Sequence, residues 1–213
     1  MMIFNNLRWV KSAFITVSMI FILLAGTCWA ENKNTFTNPS IGFQITKPDS
    51  WHYATASQNL ENLKRIQLNN SEFQSAMQKY ASAPLVVIAK YPEPFEDLNP
   101  TLKVSIKPYG SSRGQNPVEI LNVLLPQFKA VFKDLIISQS PTDDKIAGIK
   151  SAYTRFNYML ITAEGLKFPT TSELWIVPYG DYFFLMGAGT RQDETTGSRA
   201  DIQHILETII IDR

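Results

Sequence analysis

The chain has 213 residues, and its 20 basic and 19 acidic side chains leave a formal net charge of +1 at pH 7. A protein that binds nucleic acid through phosphates needs lysine and arginine gathered on one face. Here the basic residues are scattered among acidic and apolar ones, so we expect no nucleic-acid partner.

The first 30 residues predict an export signal. Arg8 and Lys11 give it a positively charged start, and residues 13–25 form its apolar part. In Cys28-Trp29-Ala30, small residues stand at the two positions that signal peptidase inspects. We therefore expect cleavage after Ala30 and a periplasmic or secreted protein.

Two alternatives concern the same segment. Residues 12–30 contain no charged side chain and are long enough to cross a bilayer, so an uncleaved signal would anchor the protein in the membrane. A lipid-modified Cys28 is disfavoured, because Thr27 stands where that modification requires Gly or Ala. Cleavage would remove the only cysteine, and with it cysteine nucleophiles, disulfides and thiolate metal sites.

Residues 31–213 suit a single domain, because no repeat, low-complexity tract or glycine-rich linker interrupts them. A short hairpin is predicted at the start, over residues 35–46. Further strands are predicted at residues 85–90, 102–107, 135–139, 152–162, 174–177 and 182–188, which gives a sheet of about six strands.

Two of these strands indicate how the sheet is covered. Leu102, Val104 and Ile106 alternate with polar residues, which predicts one buried face and one face in water. Residues 182–188 are apolar on both faces, which predicts a central strand that is covered on both sides. The turn from residues 174–177 into this strand contains Gly180, which suits the positive φ of a tight hairpin.

A helix start signal precedes residues 121–132. Asn116, Pro117 and Glu119 form an N-cap, a first-turn proline and a capping box, and the apolar residues that follow recur at the helical period. Pro126 lies inside this pattern and is expected to kink the helix or divide it.

Three further helices are predicted. Ser198 with Asp201 is predicted to cap a last helix with an apolar stripe, formed by Ile202, Ile205, Leu206 and Ile209. Ser71 with Gln74 opens a short helix, and a weaker helical pattern covers residues 60–66. Because strands and helices do not alternate strictly, the pattern predicts an α+β fold with an antiparallel sheet between helices.

Gly42-Phe43, Ile45, Pro48 and Trp51 follow the spacing G-F-x-I-x-x-P-x-x-W. Three weaker features follow in order: Gly148 before a long strand, Tyr179-Gly180-Asp181-Tyr182 in a hairpin, and Ile205-Leu206 in the closing helix. In this order, over residues 35–212, the features resemble the PsbP-like superfamily of photosystem extrinsic proteins, a Ran-binding import factor and secreted bacterial proteins.

The resemblance implies a PsbP-like sandwich, in which helices cover both faces of an antiparallel sheet. It implies no catalytic set, and it implies that the protein acts by binding or steadying other proteins. Residues 57–83 depart from the superfamily pattern as additional helical material, so a partner surface is not carried over from the resemblance.

The residues themselves supply no catalytic constellation. Neither a G-x-S-x-G elbow nor a G-x-x-x-x-G-K phosphate loop occurs, and His52 and His204 stand alone. The acid pairs Asp143-Asp144 and Asp193-Glu194 are predicted turn residues. We therefore expect no enzyme, no cofactor and no metal site, and a carboxylate pair assembled from distant strands is the alternative.

The candidate binding residues come from two places, an aromatic triplet and a loop with three prolines over residues 91–100: Trp51, His52, Tyr91, Phe95 and Glu96. A stiff loop with aromatic side chains amid acids is suited to protein binding. The alternative is that Phe95 covers the sheet and the prolines only shape the connection.

The sequence thus favours a non-catalytic exported module that binds another envelope protein in an assembly or maintenance role. The alternative is a periplasmic carrier of a small apolar ligand, with a pocket lined by Phe128, Phe132 or Phe184. A hydrolase is the third alternative, and the oligomeric state is not predicted.

Overall fold

The structure is a computed structural model that describes residues 33–55, 58, 84–132, 134–162 and 164–212. The predicted export signal and the predicted helices at residues 60–66 and from Ser71 lie outside the described residues. The described strands are β1 Thr35–Asn38, β2 Phe43–Thr46, β3 His52–Tyr53, β4 Val86–Ala89, β5 Thr101–Pro108, β6 Ile136–Ile146, β7 Ile149–Ile161, β8 Lys167–Tyr179, β9 Tyr182–Arg191 and β10 Ile210–Ile211.

Seven of these strands form one antiparallel sheet in the order β3-β4-β5-β9-β8-β7-β6. β9 lies in the middle of this order. Phe183 and Phe184 point to opposite faces of it and pack into separate apolar clusters. The prediction of a central strand covered on both sides is therefore confirmed.

The hairpin between β8 and β9 turns at Gly180, which has a φ of 56°. Its strands are longer than predicted, because polar residues such as Thr170 and Thr171 continue β8 beyond the apolar segment and are buried there. β5 also departs from its prediction. Ser105 lies on the face of β5 that we expected to meet water, but it is buried.

The acid pair Asp143-Asp144 is not in a turn, contrary to the prediction. Both residues lie on β6, where Asp143 pairs with Lys150 across the hairpin at 3.2 Å. Asp144 accepts a hydrogen bond of 3.0 Å from the indole nitrogen of Trp175. Charged residues on an edge strand protect it from pairing with another chain, which explains acids in this position.

A second sheet of three strands, in the order β1-β2-β10, confirms the opening hairpin and adds the end of the chain to it. β10 has only two residues, which is too short for an alternation of apolar and polar residues to predict it. β2 joins the sheet to the core, since Phe43 and Ile45 are fully buried.

Among the described residues, one helix covers each face of the large sheet. α1, Pro117–Val131, begins with the predicted capping box, in which Glu119 N donates to Asn116 Oδ1 and Asn116 N donates to Glu119 Oε2, both at 2.9 Å. The helix continues through Pro126 as one element.

α2, Ser198–Glu207, buries its predicted stripe, but its cap differs from the prediction. Gly197 occupies the N-cap position with a φ of 74° and has no side chain to cap the helix, and Ser198 N instead donates to Glu194 Oε2 at 3.1 Å. Ser198 and Asp201 instead bind Lys90. The two residues predicted to cap α2 therefore make a tertiary contact with Lys90 instead.

Helix, sheet and second sheet pack as layers. α2 and β2 pack on one face of the large sheet around Trp51, Trp175 and Phe184, and α1 packs on the other around Phe156 and Ile176. The α+β class with an antiparallel sheet between helices is thus confirmed, with seven strands rather than about six. Within the described part of the chain, no helix combines the length and the apolar character needed to cross a membrane.

Gly42 allows the chain end to approach the core closely. Its φ is 56°, and a Cβ at this position would lie 2.6 Å from the carbonyl oxygen of Asp212. Gly180 has the same φ but open space around it. Substitutions at the two positions can therefore distinguish the energetic cost of backbone strain from the cost of steric overlap.

We expect Gly180→Ala to lower the free energy of unfolding by about 1 kcal/mol through strain at positive φ. Gly42→Ala should lower it by about 2–4 kcal/mol, because overlap with Asp212 adds to the same strain. Urea unfolding followed by tryptophan fluorescence measures both. Equal losses in the two variants would show that the contact with Asp212 carries no energy.

Candidate functional site

A cleft of about 670 Å³ opens beside the loop of residues 91–100, which we call the proline loop. Its floor contains Ala89, Thr101 and Gly189, which stand opposite one another on β4, β5 and β9. A Cβ on Gly189 would meet nothing within 4 Å, so this glycine leaves the floor open. The volume falls within the roughly 300–1,000 Å³ that is usual for ligand sites.

The two walls of the cleft come from distant parts of the chain. The proline loop forms one wall, and the end of the β7–β8 hairpin forms the other. The first wall presents Glu93, Phe95, Glu96, Asp97, Leu98 and Asn99. The second wall presents Leu160, Thr162, Glu164, Leu166 and Phe168.

Asn99 holds the proline loop closed. Its amide nitrogen donates to the carbonyl oxygen of Tyr91 and to Glu93 Oε1, both at 2.8 Å, and its amide oxygen accepts from Tyr91 N at 3.1 Å. Glu93 Oε2 also accepts from Phe95 N at 3.0 Å. These bonds join both ends of the loop, so its shape is fixed without a bound ligand.

The aromatic side chains of the proline loop stack on each other. The ring centroids of Tyr91 and Phe95 are 4.5 Å apart, with 15° between the ring planes. Phe95 is half-buried and lines the cleft. It therefore combines an internal contact with a free face toward the cleft.

Arg191, at the end of β9, attaches the proline loop to the sheet. Its guanidinium donates to Asp97 at 2.9 Å and to Asp193 at 2.8 and 3.0 Å, and it lies 5.8 Å from the ring centroid of Phe168. Hydrogen bonds to Asp193 and Asp97 raise the pKa of Arg191 further above its ordinary range. The hydrogen bond from Arg191 lowers the pKa of Asp193.

Lys90 fixes the start of the proline loop from the opposite face of the sheet. Its ammonium donates to Asp201 at 3.0 Å, to the Thr196 carbonyl oxygen at 2.9 Å and to Ser198 Oγ at 3.2 Å. The indole of Trp51 donates to the same carboxylate of Asp201 at 3.2 Å. The loop therefore begins directly after a residue that is bound to α2.

Four of the five predicted binding residues meet at this edge of the sheet. Phe95 and Glu96 line the large cleft, while His52 and Tyr91 line a smaller one of about 220 Å³ beside it. Trp51 does not belong to the surface, because it is fully buried in the core under α2. Its position as a candidate binding residue is therefore corrected.

The second wall was missed by sequence reasoning. Glu164, Leu166 and Phe168 have no motif, and only the exposure of Leu166, at 54%, sets it apart from an ordinary hairpin residue. Leu166 follows a turn in which Gly165 N donates to the Thr162 carbonyl oxygen at 2.9 Å. A leucine just after a hairpin glycine is the one signal that could have pointed to it.

The expected carrier pocket is not where we placed it. Phe184 is fully buried in the core, Phe128 packs against Phe156 with centroids 5.5 Å apart, and Phe132 stacks on Tyr158 at 4.0 Å. None of the three predicted rings lines either cleft. Phe128 and Phe132 pack between α1 and the sheet, and Phe184 packs on the opposite face under α2, because interiors pack densely.

The described residues give few opportunities for acid–base or metal chemistry. No group of three or more His, Cys, Asp or Glu among them is arranged to hold a metal ion. His204 is exposed and lies 3.2 Å from Glu207. His52 shares the small cleft with one described carboxylate, that of Glu93.

A separate polar cluster surrounds the buried carboxylate of Glu173. Tyr153 donates to Glu173 Oε1 at 2.5 Å, and Arg155 donates to the same oxygen at 2.8 and 3.1 Å. Burial and the hydrogen bond to Glu173 raise the pKa of Tyr153 well above its ordinary value. These hydrogen bonds compensate the buried carboxylate of Glu173 between β7 and β8. The cluster lies outside both clefts.

No protein-family model matches this chain, and no curated protein is significantly similar to it in sequence. Solved structures with similar folds include the cyanobacterial PsbP of Synechocystis sp. PCC 6803, at 8% identity and a TM-score of 0.48, with 88% of this chain and 99% of that one covered. They also include the Saccharomyces cerevisiae Ran-binding protein Mog1p, at 10% identity and a TM-score of 0.46, with 84% and 95% covered.

A third similar structure is LpqN, which is involved in cell envelope biogenesis of Mycobacterium tuberculosis. Its identity is 14% and its TM-score 0.47, with 86% of this chain and 87% of that one covered. The chain spans about half, 48%, of a further match from Bacteroides thetaiotaomicron, at 15% identity and a TM-score of 0.43, with 84% of this chain covered.

We expect Asn99→Ala to open the proline loop, because three hydrogen bonds that join its ends are lost at about 1 kcal/mol each. The amide of Tyr91 should then exchange its hydrogen at least about tenfold faster. Hydrogen exchange followed by mass spectrometry measures this, with Glu96→Gln as the control in the same loop. Unchanged exchange in Asn99→Ala would mean that the amide does not hold the loop.

The start of α2 should lose stability in acid. Burial raises the pKa of Glu194, but hydrogen bonds from Ser198 N, Thr196 and other donors outweigh it and hold the pKa below its ordinary value of 4.5. A lowered folded-state pKa contributes stability above the unfolded-state value, and this stability is lost as the pH falls through the folded-state value.

Thermal unfolding of the wild type and of Glu194→Gln measures this contribution. We expect the wild type to unfold at a higher temperature near neutral pH, and the difference to shrink as the pH falls below the ordinary value of 4.5. Thr196→Ala, which removes the hydroxyl donor to the same carboxylate and keeps the backbone one, should show part of the effect. A difference that grows on acidification would contradict the assignment.

Proposed function

We propose that the protein is a non-catalytic binding module of the cell envelope, which holds a segment of another protein in the cleft beside the proline loop. The observation that carries the proposal is the construction of this cleft. Asn99 and Arg191 hold one wall by direct hydrogen bonds, and Lys90 anchors the start of that wall. A site that is already ordered loses little conformational entropy when it binds.

The surface of the cleft suits contact with a polypeptide. Apolar side chains such as Leu98, Leu166 and Phe168 alternate around it with carboxylates and hydroxyls. Protein-binding surfaces combine apolar anchors with a polar rim in this way. The half-exposed Leu166 supplies an anchor on the wall opposite Phe95.

The absence of a catalytic set supports binding over turnover. The described residues that line the large cleft include no histidine, cysteine, lysine or serine. General base and nucleophile are the roles those residues most often take. A hydrolase would therefore need to operate with carboxylates and threonines alone.

The place of action proposed here is the periplasm or the exterior, because the first 30 residues have the pattern of an export signal. Retention of residues 12–30 would place the same module on the membrane surface, held by its own N-terminal segment.

A carrier of a small apolar ligand is the second candidate. The volume of the cleft supports it, and so do the apolar side chains of Leu98, Leu160 and Phe168 on both walls. Native mass spectrometry of freshly purified protein distinguishes the two functions. A carrier should retain a bound lipid or metabolite, whereas a protein-binding module should be free of one.

A photoreactive phenylalanine analogue at position 95 tests the proposal in the intact envelope. We expect it to crosslink to a partner protein, because Phe95 lines the cleft. The matched control carries the analogue at Val123, which is 49% exposed on α1 and distant in sequence from the cleft residues. Recovery of the uncrosslinked monomer alone from both variants would refute the proposal.

A further inference from the structure

We infer that the partner segment held in the cleft is uncharged at its centre and places an apolar side chain, of leucine size or larger, over Gly189. The inference rests on the proposed function and names the chemistry of the segment. Two observations support it. The charges in and beside the cleft are largely balanced by the protein itself, and the floor of the cleft is open at one glycine.

Two of the carboxylates that line the cleft are satisfied by neighbouring residues. Asp97 pairs with Arg191 at 2.9 Å. Glu93 accepts hydrogen bonds from Phe95 N at 3.0 Å and from the amide of Asn99 at 2.8 Å. The same bonds fix the shape of the proline loop, so a cationic ligand would have to compete with them. These two acids therefore serve the structure of the wall.

The remaining charges do not favour a charged ligand either. Glu164 already has an interaction partner, and Glu96 is exposed to water, where an added ion pair contributes little. Two basic residues lie beside the cleft: Arg191 at the end of β9, and Lys103, two residues along β5 from Thr101 and on the same face. An ion of either sign would thus lose hydration for a small electrostatic gain.

Apolar surface is what the lining of the cleft offers to a ligand. Leu98 belongs to the proline loop, and Leu160, Leu166 and Phe168 belong to the hairpin wall. Leu166 is more than half exposed, so its side chain would gain from being covered. Removal of apolar surface from water is favourable and requires no charge on the ligand. The lining therefore favours an apolar side chain.

Gly189 determines where this side chain is placed. It lies inside β9, paired with Thr101 on β5 and with Ser172 on β8, and a Cβ at this position would meet nothing within 4 Å. Alanine would fit there and would stabilise the strand, because glycine loses more backbone entropy on folding than any other residue. Glycine inside a strand is typical of a place where a ligand approaches the backbone closely.

Gly187, two residues earlier on β9, has a different environment. It does not line the cleft, and a Cβ at this position would lie 3.3 Å from Cδ2 of Leu174. A small movement of the leucine side chain would relieve this contact. Gly187 is therefore a matched control for Gly189, on the same strand and the same face of the sheet.

Serine-rich peptides with blocked ends and one variable central residue test the inference with the exported full-length protein. The central residue is phenylalanine, leucine, alanine, lysine or glutamate. NMR titration of the methyl signals of Leu98 and Leu166 gives each affinity. We expect the phenylalanine and leucine peptides to bind at least about tenfold more tightly than the other three, because only they bury a large apolar side chain.

Variants at the two glycines locate the binding. Gly189→Leu should weaken the phenylalanine peptide at least about tenfold, because the new side chain occupies the space above the floor. Gly189→Ala should weaken it less and should raise the melting temperature by about 1–3 °C, because it removes a strand glycine without overlap. Gly187→Ala should leave the affinity unchanged.

Four outcomes would overturn the inference. The first is equal binding of the apolar and charged peptides, and the second is binding of none of them. The third is unchanged affinity in both Gly189 variants. The fourth is a small apolar molecule that the wild type retains through purification and Gly189→Leu does not, which would assign this surface to a carrier.

The crosslink at position 95 decides separately whether the proposed function stands, because it requires no assumption about the partner's side chains. A crosslink to a partner that persists in the Gly189→Leu background would leave the proposed function in place and refute the role of Gly189. A crosslink that is lost in Gly189→Leu and kept in Gly187→Ala would support both.

Discussion

The charge of Lys90, on a largely buried side chain, is the constraint on which the edge of the sheet beside the cleft depends. The side chain is only 13% exposed, and a charge in such a place is tolerated only if it is fully compensated. Compensation comes from Asp201, the Thr196 carbonyl oxygen and Ser198, so the end of β4 and the start of α2 must meet. The proline loop begins at the next residue, so this contact directs the loop, which is the first wall of the cleft, over the sheet.

The chain around β9 serves the core, the cleft and the last helix in succession. Phe183 and Phe184 fill the two cores, Gly189 opens the floor of the cleft, and Arg191 attaches the proline loop. Glu194 then accepts hydrogen bonds from the backbone at the start of α2. The central strand therefore supplies residues both to the core and to the edge of the sheet that carries the cleft.

Local signals in the sequence predicted the elements that local physics determines. The capping box of Asn116 and Glu119 needs only a few neighbouring residues, and it formed as expected. The apolar stripe of α2 was also correct, but its cap was not, since Lys90 recruits Ser198 and Asp201 for a contact over a long sequence separation. Asp144 was misplaced for the same reason. Its partner, the indole of Trp175, is distant in sequence, and no residue near the acid pair indicates this contact.

By itself, the sequence determined the α+β class, the central covered strand and the proline loop, because period, turn residues and proline content act within a few residues of one another. It also identified Phe95 and Glu96 as surface candidates. Only the tertiary structure decided that Trp51 belongs to the core and that the β7–β8 hairpin supplies the second wall. The physical reason is strand register. Hydrogen bonds place Thr101 opposite Gly189, and alternation along a single strand cannot specify which distant residue will stand there.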